Sequence, residues 1–322
     1  MSGARDETVV EALPTPPPIM GNVPGSYALS VFRERHPVLV RQVAEALPYP
    51  PDRRRALDRL LDEVVRDVME PLEPSAHDAA AWAEWGHGKI GRPYADVPFL
   101  WGESYFYRKV LDATGYFGDG PWRGVDPFGP MKQAELGGPV VDGELAALDD
   151  TAALSPAERA DALLLGSLWG NRADLSFGVT LTGDREKAAE LVVDDRPLLW
   201  SLIEAAAPGR ICLVADNAGR ELLPDLVLAD HLLVHGLAGE IVLHVKPYPY
   251  FVSDATPADV LACLRRLAAA PGRAGEAGGP PLFPEGGGPP HPRGDPLSFP
   301  PPPVPGGPGG PRGAVASAPP PL

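Results

Sequence analysis

The chain has 322 residues with 28 basic against 43 acidic side chains, a formal net charge of −15. That balance excludes nucleic acid and anionic membrane as partners gripped by a basic face, and a 44% hydrophobic content with six Trp excludes a wholly disordered protein. Only Cys212 and Cys263 occur, without Cys-x-x-Cys spacing, so no disulfide framework or zinc knuckle is expected and the chain reads as cytoplasmic. The first 20 residues carry acids and prolines where a signal peptide carries a basic and then an apolar run, and no uncharged apolar stretch of about 18 residues occurs, which predicts a soluble protein.

A proline-rich, flexible leader is expected over residues 1–24, followed by a mainly helical region over 25–209. In PDRRRALDRLLDEVVRDVMEPL, Leu57, Leu60, Leu61, Val64, Val65 and Val68 recur at three- and four-residue steps behind Asp52 as N-cap, which predicts a core-facing helix. A second helix is predicted through FLWGESYFYRKVLDATG, ending at Gly115. Ser155-Pro156-Ala157-Glu158 reads as a capping box with Pro at the first helical position. A further helix is predicted in RPLLWSLIEAAAPG, ending at Gly209.

The pattern changes over residues 210–270. RICLVA (Arg210–Ala215) and EIVLHVK (Glu240–Lys246) read as strands around the amphipathic helix RELLPDLVLADHLLVHG, the βαβ unit of a parallel sheet. A last helix opens at the capping box Thr256-Pro257-Ala258-Asp259 and runs to about Ala270. The fold class expected is α/β: a mainly helical N-terminal region, then an α/β/α parallel-sheet core, then a disordered Pro/Gly-rich tail over 271–322. That tail holds 18 Pro and 13 Gly in 52 residues, too few burying side chains to offset the entropy of ordering. Pro, Gly, Ala and Arg make up 39 of those 52 residues, which points to a GC-rich gene read out of frame. The alternative is a natural flexible tail, in which Pro300–Pro303 would suit a proline-recognising module.

Ligands of a parallel sheet sit at the carboxyl ends of its strands. Asp216 and Asn217 directly follow the first strand, and Asp254 lies in the loop after the second. Two carboxylates and an amide oxygen form a hard, all-oxygen set suited to Mg²⁺ or Mn²⁺, and such ions serve phosphate-ester hydrolysis. The bland reading of each residue is a helix cap or turn, and Glu221 in the next helix also suits the helix dipole. His231 and His235, four apart but outside an H-E-x-x-H motif, read as structural, and His244 as a core residue. No P-loop or G-x-G-x-x-G run occurs. Earlier in the chain, Glu103, Tyr107 and Arg108 could line a pocket with the Arg on a phosphate, against the alternative of a helix that packs Tyr105, Phe106 and Val110 inward. Asn171 and Asp174 lie in a polar loop of the kind that builds turns or binds ligands.

LWGESYFYRKVL, SLWGNRADLS, DNAGRELLPDLVLADHLL and FVSDAT, in this order, resemble the damage-control phosphatase family, whose members also carry the label of acidic-residue (protein-glutamate) carboxyl methyltransferases. The resemblance covers roughly residues 15–270. It implies a metal-dependent phosphatase of small phosphometabolites, particularly sugar phosphates, with an α/β/α core. It implies Asp216, Asn217 and Asp254 as ligands of Mn²⁺ or Mg²⁺, with Co²⁺ or Ni²⁺ as further candidates, and Glu221 as a ligand-contacting residue; Glu103, Arg108, Asn171 and Asp174 join them as candidate substrate contacts. The sequence departs from the family in lacking its K-G-D-x-N-Y-R and R-T-x-K segments, whose cations grip the substrate phosphate. Their absence predicts impaired turnover and uncovered apolar edges. Two other readings are a methyltransferase using S-adenosylmethionine, for which Asp216-Asn217-Ala218-Gly219 is a poor cofactor turn, and a non-catalytic, metal-binding remnant. The oligomeric state is not legible in the sequence.

Overall fold

A computed structural model describes residues 16–66, 68–170 and 191–277. The expected site residues Asn171 and Asp174 lie outside these, as does the proline-rich run beyond residue 277. The protein is mixed α/β and divides into two compact units, the first drawn from residues 16–39 and 61–106 and the second from 40–60 and 107–277 of the described chain. No helix among the described residues is long and apolar enough to cross a membrane.

In chain order the elements are α1 (Tyr27–Ser30), a π-helical turn (Val31–Arg35), α2 (His36–Ala46), α3 (Pro51–Arg66), α4 (Ala79–Trp85), α5 (Phe99–Thr114), α6 (Gly129–Leu136), α7 (Pro139–Ala147) and α8 (Pro156–Leu168). There follow α9 (Arg196–Ala206), β1 (Gly209–Val214), α10 (Leu222–Val234), β2 (Ala238–His244), α11 (Pro257–Ala268) and α12 (Gly272–Ala277).

The first unit is organised by aromatic packing. Trp82 of α4 and Tyr105 of α5 are buried, the Trp101 and Tyr105 rings stack with centroids 5.3 Å apart, and His36 stacks on Phe106 at 3.7 Å. Such rings bring large apolar area together with edge or offset geometry, which orients as well as buries. Two buried carboxylates lie beside them: Glu63 accepts from the Tyr94 hydroxyl at 2.7 Å and from the Glu70 N–H at 3.1 Å, and Asp78 accepts from the Trp82 indole N–H at 3.0 Å. Part of the leader expected to residue 24 pairs with the chain just before α5. Met20 bridges to Pro98 and the Phe99 N–H donates to Ile19 O at 2.8 Å, so backbone pairing holds this stretch despite its prolines.

Helix α3 also departs from expectation. It starts at Pro51, with Asp52 inside the first turn rather than capping it, and it ends at Arg66. Leu57, Leu60 and Val64 are buried, whereas Val65, within the helix, and Val68, beyond its end, are exposed.

The second unit holds the sheet. Strands β1 and β2 pair in parallel, with Ile211 opposite Ile241 and Val214 opposite His244, and α10 makes the connection between them, the βαβ unit expected. The helix expected to end at Gly209 stops at Ala206; Pro208 cannot donate to a helical ladder, and Gly209 already opens β1. Leu222, Leu223 and Leu226 of α10 are buried in one core with Val141, Leu145, Leu163, Ala255 and Leu267. Gly115, at φ +85°, stops α5 as expected, since that left-handed conformation costs a side-chain-bearing residue strain. Both capping boxes are present, with Glu158 accepting from the Ser155 N–H at 3.0 Å and Asp259 from the Thr256 N–H at 2.9 Å.

Two further expectations change. His244 is exposed at the end of β2, opposite Val214, because an end position on this sheet is not covered. The composition break at Pro271 does not end the packed chain: Gly272–Ala277 is helical and Ala274 is fully buried in the same core as Leu267. His231 is buried, with its ring 4.3 Å from that of His235, in keeping with a structural role. Val214 is 83%, Leu198 58% and Leu202 60% exposed, so apolar surface does remain uncovered around β1 and α9.

Candidate active site at the carboxyl edge of the sheet

The two strand-end loops are stitched together by their backbones. The Ala215 N–H donates to His244 O at 2.9 Å, extending the parallel ladder by one rung beyond β1. The chain after β2 then runs out through the aromatic loop PYPYF and returns antiparallel to residues 216–218. Ala255 N donates to Asp216 O at 2.8 Å, Ala218 N to Ser253 O at 2.7 Å, and Asn217 and Asp254 form an isolated antiparallel bridge. Residues 37 apart in sequence are thereby locked face to face, as the carboxyl-edge rule predicts.

On this frame the side chains converge. Asp254 is buried, and its Oδ2 accepts from the Phe251 N–H at 3.0 Å, a local turn bond that fixes the carboxylate. Asp216 is well exposed. The Lys246 ammonium lies between the two, 3.5 Å from Asp216 Oδ1 and 3.8 Å from Asp254 Oδ1. Asn217 donates through Nδ2 to Glu221 Oε2 at 2.8 Å and accepts at Oδ1 from the Ser253 hydroxyl at 2.7 Å. Burial pushes the Asp254 carboxyl above the ordinary carboxylate range and Asp216 adds to the rise, against the Phe251 N–H, Lys246 and Lys132.

Asp216, Asn217, Asp254 and Glu221 are thus brought together at one edge of the sheet. Gly219 sits between them at φ +67°, a conformation that favours glycine, with the flexible end of Glu135 packed over it. Among the described residues no group of three or more His, Cys, Asp and Glu side chains is gathered as a metal cluster. The set at this edge is instead two carboxylates and one amide oxygen, which suits a hard divalent cation, and a cationic ammonium already lies between the carboxylates.

The residues of α5 divide differently. Tyr105, Phe106 and Val110 are buried, the inward packing weighed as the bland alternative. Arg108 is 4% exposed, donates to Asp112 Oδ1 at 3.4 Å and lies over the Phe117 ring at 4.8 Å. A guanidinium on a ring face is attracted by the ring's negative face, and the neighbouring carboxylate adds to the hold. Tyr107, buried, meets Phe251 edge-to-face at 4.8 Å and so supports the loop that carries Asp254. Glu103 belongs to the first unit, 3.9 Å from His36 Nε2.

Sequence reasoning missed Lys246, Ser253 and Lys132. Lys246 and Ser253 carried a signal, since both fall in the segment between β2 and the already chosen Asp254. Lys132 carried none: its Nζ donates to Asp254 O at 2.8 Å across 122 residues of sequence.

Comparison with known proteins gives the chain's relatives. Damage-control phosphatase ARMT1 of Danio rerio is 27% identical over 300 residues, a match that takes in 77% of this chain and 66% of that protein. The Xenopus laevis protein of the same name is 32% identical over 199 residues, covering 54% of this chain and 45% of its own length. The Homo sapiens protein of that name is 38% identical over 110 residues, covering 29% of this chain and 25% of its own length. The chain therefore spans less than two thirds of the length of these relatives. The model of the damage-control phosphatase ARMT1-like domain matches residues 31–281, and the chain belongs to that family.

Proposed function

We propose that this chain is a divalent-cation-dependent phosphatase of small phosphorylated metabolites, sugar phosphates foremost, working in the cytoplasm. The observation that carries the reading is the meeting of Asp216, Asn217 and Asp254 at the carboxyl edge of the sheet with a positive charge, Lys246, between the two carboxylates. Asp216, Asn217 and Asp254 would hold Mn²⁺ or Mg²⁺, or Co²⁺ or Ni²⁺ in their place. Bound there, such an ion supplies Lewis-acid polarisation of a phosphoryl oxygen and an acidified water.

The chain's own residues supply orientation and charge. Glu221 takes the amide N–H of Asn217 and so turns its oxygen toward Ser253 and the site. The Phe251 N–H holds Asp254. Lys246, partly exposed, meets phosphoryl oxygens on which negative charge accumulates, a role for positioned cations in phosphoryl transfer generally. In hydrolysis a water oxygen bonds to phosphorus as the ester P–O bond breaks; the leaving oxygen keeps the bonding pair and takes a proton from solvent. Because the sequence carries neither the K-G-D-x-N-Y-R nor the R-T-x-K segment, turnover is proposed to be lower than in a relative that carries them.

The test is phosphate release from a sugar-phosphate panel with Mn²⁺, Mg²⁺, Co²⁺, Ni²⁺ or EDTA, on the parent chain and Asp216→Ala. Release that needs the metal and is lost in the variant is the expected result. Equal release in EDTA, or methyl transfer from S-adenosylmethionine in its place, overturns the reading.

A further inference from the structure

Lys132 of α6 is an unusual ammonium. It is buried, and each of its three donors has a partner at short range: Asp126 Oδ2 at 2.9 Å, Asp259 Oδ2 at 2.9 Å and the backbone oxygen of Asp254 at 2.8 Å. The desolvation of a buried ammonium is offset only when its partners are close and its donors satisfied, which is the arrangement here. Asp259 also closes the capping box of α11 on Thr256. One ammonium therefore ties the loop before α6, the start of α11 and the main chain of Asp254 to a single point.

A structural ion pair would be complete with the two carboxylates. The third bond goes to the peptide oxygen of the buried site aspartate, whose side chain is held from the other direction by the Phe251 N–H. The peptide group that joins Asp254 to Ala255 is gripped at both ends, since the Ala255 N–H donates to Asp216 O at 2.8 Å. Rotation of that peptide would swing the Asp254 carboxylate relative to Asp216 and Asn217. Site geometry of this kind depends on partners one shell out as much as on the ligating groups.

We propose that Lys132 is a positioning residue of the active site, which sets the Asp254 carboxylate against Asp216 and Asn217 by holding the Asp254–Ala255 peptide. Its bearing on metal binding rests on the reading of those residues as ligands; its hold on the peptide does not.

The test uses the full chain in three forms: the parent, Lys132→Met, and Leu163→Ala, a core truncation on α8 chosen to lower the melting temperature without touching the network. Two readouts are taken, amide hydrogen exchange at Ala255 without metal and Mn²⁺ binding followed by electron paramagnetic resonance. Lys132→Met is expected to speed Ala255 exchange and to weaken Mn²⁺ binding, each by about tenfold or more, while Leu163→Ala at matched loss of melting temperature does neither. Equal effects in the two variants, or none in Lys132→Met, overturn the proposal. Faster Ala255 exchange in Lys132→Met together with no Mn²⁺ binding by the parent upholds Lys132 and removes the metal reading. Should Lys132→Met not fold, Lys132→Gln keeps an uncharged N–H donor group and is read by the same two measurements.

Discussion

Asn217 donates its amide nitrogen to Glu221 at 2.8 Å, one turn further along the chain. An ionised carboxylate can only accept, so Glu221 dictates which end of the amide faces it and leaves Oδ1 for Ser253 and the site. The acid expected from its position to serve the helix dipole, or a ligand, thus has a third task, which is to orient a neighbour.

From this follows a variant pair. Glu221→Ala removes the acceptor and lets the amide turn, so Mn²⁺ binding should weaken about 10- to 100-fold, with the melting temperature little changed. Glu221→Gln keeps an acceptor oxygen and should retain most of the affinity. Titration calorimetry on both separates the cases, and parent-like affinity in Glu221→Ala would end the orienting argument.

Asp216 and Asp254 should respond differently to removal, although sequence reasoning treated them alike as loop residues. Asp216 is exposed, so Asp216→Ala should abolish metal-dependent phosphate release at an unchanged melting temperature. Asp254 is buried and holds the Phe251 N–H, so Asp254→Ala leaves that donor without a partner, at a cost of about 1–3 kcal/mol. Asp254→Asn can still accept there and should lose activity with a smaller loss of stability. Thermal melts of the three variants beside the activity assay decide the matter; a loss of stability in Asp216→Ala as large as in Asp254→Ala contradicts the exposure argument.

The site was legible in the sequence because it is built on local rules. Apolar runs flanking an amphipathic helix announce a βαβ unit, with Asp216 and Asn217 just after its first strand and Asp254 in the loop after its second. What hid were the groups brought in from afar. Lys132 and Asp254 meet through tertiary packing, and no spacing rule spans their separation. Composition likewise marked the break at Pro271 correctly as a change of character, yet small residues such as Ala274 can pack where proline-rich neighbours suggest otherwise.

That last point has a direct test. Ala274 is fully buried against a core that includes Leu267, so Ala274→Asp places an unpaired carboxylate in apolar surroundings. The cost should be on the order of 3 kcal/mol, which for a chain of this size lowers the melting temperature by roughly 6–12 °C. Differential scanning calorimetry reads it, and an unchanged melt would show that α12 contributes no packing.

Asp225 of α10 gives a pH dependence of defined sign. Burial pushes its carboxyl from the ordinary 3.8 up to about 6, the Ser167 hydroxyl opposing and Glu221 adding to the rise. A folded-state value above the unfolded one means that the native protein holds the proton more tightly. The stability this provides is complete below about pH 4 and is lost as the pH rises through about 6, at a cost on the order of 3 kcal/mol by neutral pH. Asp225→Asn keeps an oxygen for the Ser167 hydroxyl and carries no charge to desolvate. Its melting temperature should therefore exceed that of the parent by several degrees at pH 7.5, and the difference should close as the pH falls to 4. A gain of equal size at both pH values would mean that the carboxyl's burial is not the cause, because an uncharged acid and an amide would then differ as much as a carboxylate and an amide do.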